Sequence, residues 1–102
     1  MIHITARSGA DGYALWMRGH ADYHPGNDIV CAGASAIACA LAGYLHNAQG
    51  HLYELLEERL EHGDACIRFR GDAAAGEAFK MALVGLLQLQ ESYPEHLSVR
   101  MD

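Results

Sequence analysis

The change from strand to helix falls in residues 19–35, which have the sequence GHADYHPGNDIVCAGAS. A histidine, His20, follows a predicted strand, and a cysteine, Cys31, lies just inside a predicted helix. A proline, a glycine and an asparagine at 25–27 favour a short turn-forming loop between them. This stretch sets the distance between two reactive side chains, and the rest of the chain is predicted to be the scaffold that holds them.

Length and composition indicate a single small domain, residues 1–102, with one hydrophobic core. The net charge of −6 argues against nucleic acid as the main partner, because phosphate binding needs a basic surface. It suits a basic protein or peptide. No apolar run approaches the roughly 20 residues that span a bilayer. No signal peptide is visible, and three cysteines then indicate reduced thiols, so we expect a cytoplasmic protein without a membrane partner.

The first half of the chain predicts a hairpin and a long helix. Residues 2–7 alternate between apolar and polar, 8–12 form a turn, and 13–18 return as a second strand. Asp28 is a typical N-cap, and apolar spacing predicts a helix from Ile29 to about residue 47. We expect its core face to carry the following residues: Ile29, Ala36, Ile37, Ala40, Leu41, Tyr44 and Leu45.

The second half contains one ambiguous segment. Leucine spacing in residues 51–61 favours a helix, whereas the His-Gly pair at 62–63 and the strand-like residues 65–70 favour a hairpin. A second long helix is predicted after Gly71-Asp72 and must stop near Tyr93, because a proline follows. Residues 97–101 then predict a short closing strand.

Cys31 and His20 have the chemistry of a nucleophile and a base. A cysteine attacks as its thiolate, so a catalytic site must lower the thiol pKa or supply a base. If Asp28 caps the helix, Cys31 is its third residue, where free N–H groups and the helix dipole favour negative charge. The same N–H groups could stabilise an oxyanion, and His20 could move the protons.

Other roles are open for the residues around this pair. Asp28 could cap the helix, raise the Cys31 pKa by its charge, or orient His20. Ser35 lies one turn beyond Cys31 and could hydrogen-bond the thiolate or simply fit a crowded helix. A zinc site of His20, His24 and Cys31 is an alternative, although this spacing matches no standard zinc signature.

The remaining cysteines and the loop complete the predictions for this region. Cys39 and Cys66 are expected to be core residues. The loop lacks regular apolar periodicity, so we expect a mobile lid that closes over an extended peptide. This predicted substrate loop consists of Asp22, Tyr23, His24, Pro25, Gly26 and Asn27.

Two motifs, Gly19-His20-Ala21 and Asp28-Ile29-Val30-Cys31-Ala32, together with the following Ser35-Ala36, resemble the ribosomal-processing cysteine protease family (Prp). The Met-Ile start and the late Tyr93-Pro94-Glu95 extend the resemblance over essentially the whole chain. The family comprises small bacterial cytosolic cysteine endopeptidases, generally homodimeric. They remove an N-terminal extension from a large-subunit ribosomal protein, and relatives act on phage structural proteins.

The resemblance implies that His20 is the base and Cys31 the nucleophile, supported by Asp28, Ser35 and Gly19, with no metal or cofactor. It also favours a strand over residues 51–61. The order is then ββαββαβ, an α+β fold with a mixed or antiparallel sheet covered by two helices. The alternative is a non-catalytic dimeric protein-binding module of the same fold.

Overall fold

Five strands and two helices follow one another in the predicted order. The structure is a computed structural model that describes residues 1–23, 28–47 and 50–102, and the side chains at 52 and 53 are not discussed. The elements are β1 (Ile2–Gly9), β2 (Gly12–Arg18), α1 (Ile29–Asn47), β3 (Leu52–Glu61), β4 (Asp64–Gly71), α2 (Ala73–Ser92) and β5 (Leu97–Met101).

The strands form one mixed sheet in the order β3-β4-β2-β1-β5. β1 and β5 are parallel, and the other neighbouring pairs are antiparallel. The buried residues of both helices join inward-facing residues of the sheet in one hydrophobic core. The predicted α+β class and element order are therefore confirmed.

The ambiguous segment is a strand. β3 pairs with β4 across a turn at His62–Gly63, where Gly63 has φ +77°. The register shifts between Leu55 and Glu57, so a β-bulge inserts one extra residue at this point. Leu55 packs against the core, whereas Leu56 is 43% exposed. The bulge explains why the leucine spacing imitates a helical pattern.

The core face of α1 differs from the predicted one. Ile29 is 51% exposed, and Ala36 and Ala40 are also exposed. The buried residues are Val30, Ala34, Ala38, Leu41, Ala42 and Leu45. The prediction followed the larger side chains, but close packing buries the mostly small residues spaced four apart from Val30 to Ala42.

The two helices approach each other through glycine. A Cβ at Gly85 of α2 would lie 3.0 Å from Cδ1 of Ile37, and a Cβ at Gly33 of α1 would lie 3.5 Å from the Leu89 methyl groups.

α1 is long and apolar enough to cross a membrane, which differs from the expectation that no apolar run approaches that length. In the structure it packs as a core helix against α2 and the sheet.

This packing predicts different losses of stability when leucine replaces two alanines of α1. Ala42→Leu should destabilise the protein by about 1–3 kcal/mol, because Ala42 is 3% exposed and the larger side chain overpacks the core. Ala40→Leu should change the free energy of unfolding by less than about 0.5 kcal/mol, because Ala40 is exposed. Urea unfolding of both variants measures the difference, and equal destabilisation would contradict the observed helix face.

Candidate active site

His20 lies just beyond β2, after a glycine that the backbone requires. Gly19 has φ +96°, and its N–H donates to the Gly63 carbonyl over 2.9 Å. A Cβ at Gly19 would lie 2.5 Å from the Met1 carbonyl oxygen. A larger residue would therefore be both strained and too close to the backbone of Met1, just before β1, and Gly19 allows the chain to place His20 at the end of the sheet.

The turn between β3 and β4 packs against the His20 imidazole. The rings of His20 and His62 are 4.6 Å apart at their centroids and tilted by 46°. A Cβ at Gly63 would lie 2.7 Å from His20 Nε2, so this glycine makes room for the ring. The sequence predicts the turn but not its contact with His20, which arises because β4 pairs with β2 and aligns Asp64 with Arg18.

Asp28 caps α1 and ties the preceding loop to it. Its Oδ1 accepts hydrogen bonds from the N–H groups of Val30 and Cys31, each 3.0 Å long. Its Oδ2 accepts from the Tyr23 N–H over 3.1 Å. Burial favours the neutral carboxyl, but these backbone donors outweigh it and hold the pKa of Asp28 below its ordinary value.

The cap changes the expected oxyanion chemistry. The N–H groups of Val30 and Cys31 are occupied by the Asp28 side chain, and that of Ala32 donates to the Asp28 carbonyl over 3.0 Å. These groups are therefore not free to stabilise an oxyanion, contrary to the sequence-based expectation. Both Asp28 oxygens also bind backbone N–H groups, so the observed role of this residue is capping.

The Cys31 thiol is partly buried beside the loop that follows His20. Its sulfur accepts a hydrogen bond from the Ala21 N–H over 3.1 Å. Burial raises the pKa of Cys31, and the charges of Asp28 and Asp22 raise it further, while the Ala21 hydrogen bond opposes them. Burial and the two carboxylates therefore act against the enrichment of thiolate that was expected at the helix N-terminus.

Four residues line both of the cavities at this end of the sheet: His20, Cys31, Ser35 and His62. One cavity, of about 250 Å³, lies between α1 and the β3–β4 hairpin. The other, of about 500 Å³, lies toward the loop and includes Asp22 and Asp28. His20 and Cys31 therefore line one cleft. Among the described residues, no hydrogen bond joins the His20 imidazole to the Cys31 thiol.

The wall of the smaller cavity is mostly apolar. Its lining includes Met17 and Ala65 from the sheet and Ala34, Ala38 and Cys39 from α1.

Of the other two cysteines, Cys39 was expected in the core but is exposed. Cys66 is buried as predicted, with 0% exposure. Cys39 was misassigned because its small neighbours gave no information about which side of the helix faces the sheet.

The described part of the predicted substrate loop is anchored to the C-terminal segment. The Tyr23 ring makes edge contacts with Tyr93 and His96, at centroid distances of 5.3 and 5.2 Å. The Asp22 carboxylate lies 3.4 Å from the N-terminal amine. The other loop residues, His24, Pro25, Gly26 and Asn27, lie outside the described residues.

The zinc alternative involves His24 and is not tested. Within the described ranges, no group of three or more metal-ligating side chains is present.

Ser35 stands at the wall of the cleft, one turn beyond Cys31. It is exposed and lines both cavities. In residues 28–47, no hydrogen bond links its hydroxyl to the Cys31 sulfur. The serine is therefore placed to meet a bound molecule in the cleft rather than to hold the resting thiol.

Solved structures of similar proteins share the fold. The essential ribosomal processing protease Prp from S. aureus, in complex with a covalently linked product peptide, is 25% identical over 100% of both chains, with a TM-score of 0.85. Its complex with a substrate peptide gives 26% identity, 100% coverage of both chains and a TM-score of 0.75. SMU.848 from Streptococcus mutans is 23% identical, covering 99% of this chain and 93% of that one, with a TM-score of 0.77, and shows the fold alone.

A family model agrees with these structural matches. A comparison with curated proteins finds no match. The family model described as cysteine protease Prp matches residues 1–98, which contain the hairpin, both helices and the whole cleft. This match covers almost the entire chain and agrees with the resemblance in the sequence. The chain therefore belongs to the Prp family of cysteine proteases.

Proposed function

We propose that this chain is an endopeptidase that removes a short N-terminal extension from a large-subunit ribosomal protein, with Cys31 as nucleophile and His20 as base. The observation that carries the proposal is the shared cleft, in which both side chains line the same two cavities. The similar S. aureus protease, which is named for ribosomal processing, has been solved with a covalently linked product peptide and with a substrate peptide.

In the proposed reaction, the protons pass through His20. Its imidazole takes the thiol proton as the Cys31 sulfur attacks the peptide carbonyl carbon. The tetrahedral intermediate collapses to a thioester, and the leaving amine takes the proton from the imidazolium. His20 then removes a proton from water, which attacks the thioester and releases the carboxylic acid product and the regenerated thiol.

The raised pKa of Cys31 favours a base that acts during the attack. Because burial and the nearby carboxylates favour the protonated thiol, the proposed reaction includes proton transfer to His20 when a substrate is present. The thiol of such a site has low nucleophilic reactivity when no substrate is bound. This behaviour would protect a protease that works among other cytoplasmic proteins, where we place this chain.

The cleft favours an apolar side chain beside the scissile bond and a basic partner. Met17, Ala34 and Ala38 provide apolar walls, and Glu61 contributes a carboxylate to the same lining, whereas the Asp64 carboxylate there is paired with Arg59. The net charge of −6 acts in the same direction. These features suit a cationic ribosomal protein better than an acidic one.

We also propose a homodimer, as is general in the family. Three large apolar side chains on the helices are exposed: Met81 by 74%, Val84 by 55% and Ile29 by 51%. Covering such side chains with a second copy would remove apolar area from water.

Cys31→Ser and His20→Ala should each reduce peptide cleavage by at least about 100-fold, because they remove the nucleophile and the proton carrier. His3→Ala is the matched histidine control, since His3 is exposed on β1 and should leave the rate unchanged. The assay follows removal of the N-terminal extension from a purified ribosomal protein by mass spectrometry. Cleavage by the Cys31→Ser variant at the wild-type rate would exclude the proposed nucleophile.

Asp28→Asn should lower the pKa of Cys31, because its one amide oxygen can still cap the helix and the negative charge is removed, while its NH2 group cannot accept from the Tyr23 N–H. Alkylation of Cys31 by iodoacetamide, followed by peptide mapping across pH, measures this pKa. The alkylation rate of wild-type Cys31 should reach half its maximum at a pH above the ordinary thiol pKa. The Asn variant should reach half its maximum at a lower pH than wild type. Asp22→Asn should give a smaller shift of the same sign. An unchanged or upward shift in Asp28→Asn would contradict the electrostatic account.

A further inference from the structure

The Ala21 backbone is held on both sides of its Cα. Its N–H donates to the Cys31 sulfur over 3.1 Å, and its carbonyl oxygen lies 2.9 Å from His96 Nδ1. Ala21 is only 1% exposed, although it belongs to the segment between β2 and α1. Because a carbonyl accepts, His96 must carry its proton on Nδ1 to form this bond.

His96 is itself fixed by the fold. Its N–H donates to the Tyr93 carbonyl over 3.0 Å, and its own carbonyl accepts from the Ile2 N–H over 3.0 Å. Its ring also contacts the edge of Tyr23, 5.2 Å away between centroids. The imidazole therefore projects from a rigid link between α2 and β5 onto the segment that carries His20.

We infer that His96 is a positioning residue for the Cys31 thiolate, which it supports by holding Ala21 so that the Ala21 N–H points at the sulfur. The two hydrogen bonds connect residue 96 to the nucleophile through one backbone residue. His96 makes no contact with the reacting atoms. Its importance for catalysis rests on the proposed function, but its effect on the thiol does not require that function.

The Ala21 N–H matters because the other neighbours of the sulfur oppose ionisation. Burial and the carboxylates of Asp28 and Asp22 raise the pKa of Cys31, whereas this hydrogen bond lowers it. The other titratable groups that line the cleft are His20, after β2, and His62, in the β3–β4 turn, together with Cys39, Glu61 and Asp64 in the smaller cavity. Loss of the donor would leave the thiolate with its unfavourable neighbours and without this stabilising contact.

Three substitutions at position 96 separate the hydrogen bond from packing. His96→Ala removes both the donor and the ring, and His96→Phe keeps a ring that can contact Tyr23 but has no donor. His96→Asn restores an N–H donor at a position similar to Nδ1. His3→Ala controls for loss of an exposed histidine. Thermal unfolding of each variant by circular dichroism checks that it is folded.

The readout is the pH profile of Cys31 alkylation by iodoacetamide, with each cysteine distinguished by peptide mapping. At pH 8 the Ala and Phe variants should be alkylated at Cys31 roughly tenfold more slowly than wild type, and the Asn variant within about twofold, because a hydrogen bond to a charged group is lost or kept. The profiles of Ala and Phe should shift to higher pH without a change in their maximal rate. The His3→Ala profile should match wild type.

A wild-type profile in folded His96→Phe would overturn the inference, because it would show that ring packing is sufficient. Equal losses in the Asn and Phe variants would overturn it as well. If the Ala variant does not fold, the Phe and Asn pair still decides between the two outcomes. The assay uses no peptide substrate, so failure of the proposed peptidase function would leave these shifts measurable and would be detected separately.

Discussion

The site depends first on the Asp28 carboxylate, whose two oxygens serve two parts of the chain. One oxygen accepts from the first turn of α1, and the other accepts from Tyr23 in the loop before it. The helix start and the loop end therefore share a single group, which places Cys31 beside Ala21. The same charge raises the pKa of the thiol it helps to place. Helix capping and ionisation of the Cys31 thiol therefore make opposite demands on this carboxylate.

The other half of the site comes from the sheet. Antiparallel pairing of β2 with β4 brings the His62–Gly63 turn beside the end of β2, where the Gly19 N–H bonds to Gly63. His20 thus lies against a turn that is more than forty positions away in the sequence. Because His20 follows a strand of the sheet and Cys31 lies in a helix, small movements between these layers change the distance between the two side chains. A site of this kind can bring its two groups together when a peptide enters the cleft.

Local signals predict most of the fold because each element has a clear beginning or end. Asp28 and Asp72 cap the helices, and Pro94 lies just beyond the end of α2. The strand nature of residues 51–61 required the resemblance to a known family, since a β-bulge disrupts the alternation that would identify a strand. The buried face of α1 was mispredicted because alanine and glycine have little amphipathic contrast. The size of its side chain suggested that Ile29 is buried, whereas Ala34 and Ala38 are the residues that pack in the core.

The candidate pair of His20 and Cys31 could be proposed from sequence because both residues lie in one short stretch. Their partners could not. His62 and His96 reach the site only through strand pairing and through the link between α2 and β5, so no local pattern identifies them. The sequence allowed Asp28 to raise the pKa of Cys31 but left the direction of the shift open, because the shift also depends on burial and on the Ala21 N–H. Contacts between residues far apart in the sequence thus determine the electrostatics of the site, although His20 and Cys31 themselves lie close together in the sequence.

In the proposed reaction, Cys31 forms a covalent bond to the substrate. Rapid mixing of the protein with a ribosomal protein substrate, acid quenching and intact-mass measurement would detect a thioester directly. The mass of the chain should increase by that of the acyl fragment during turnover, and peptide mapping should place the adduct on Cys31. Cleavage of the substrate with an adduct on Cys39, or cleavage that persists when Cys31 is blocked, would contradict the account.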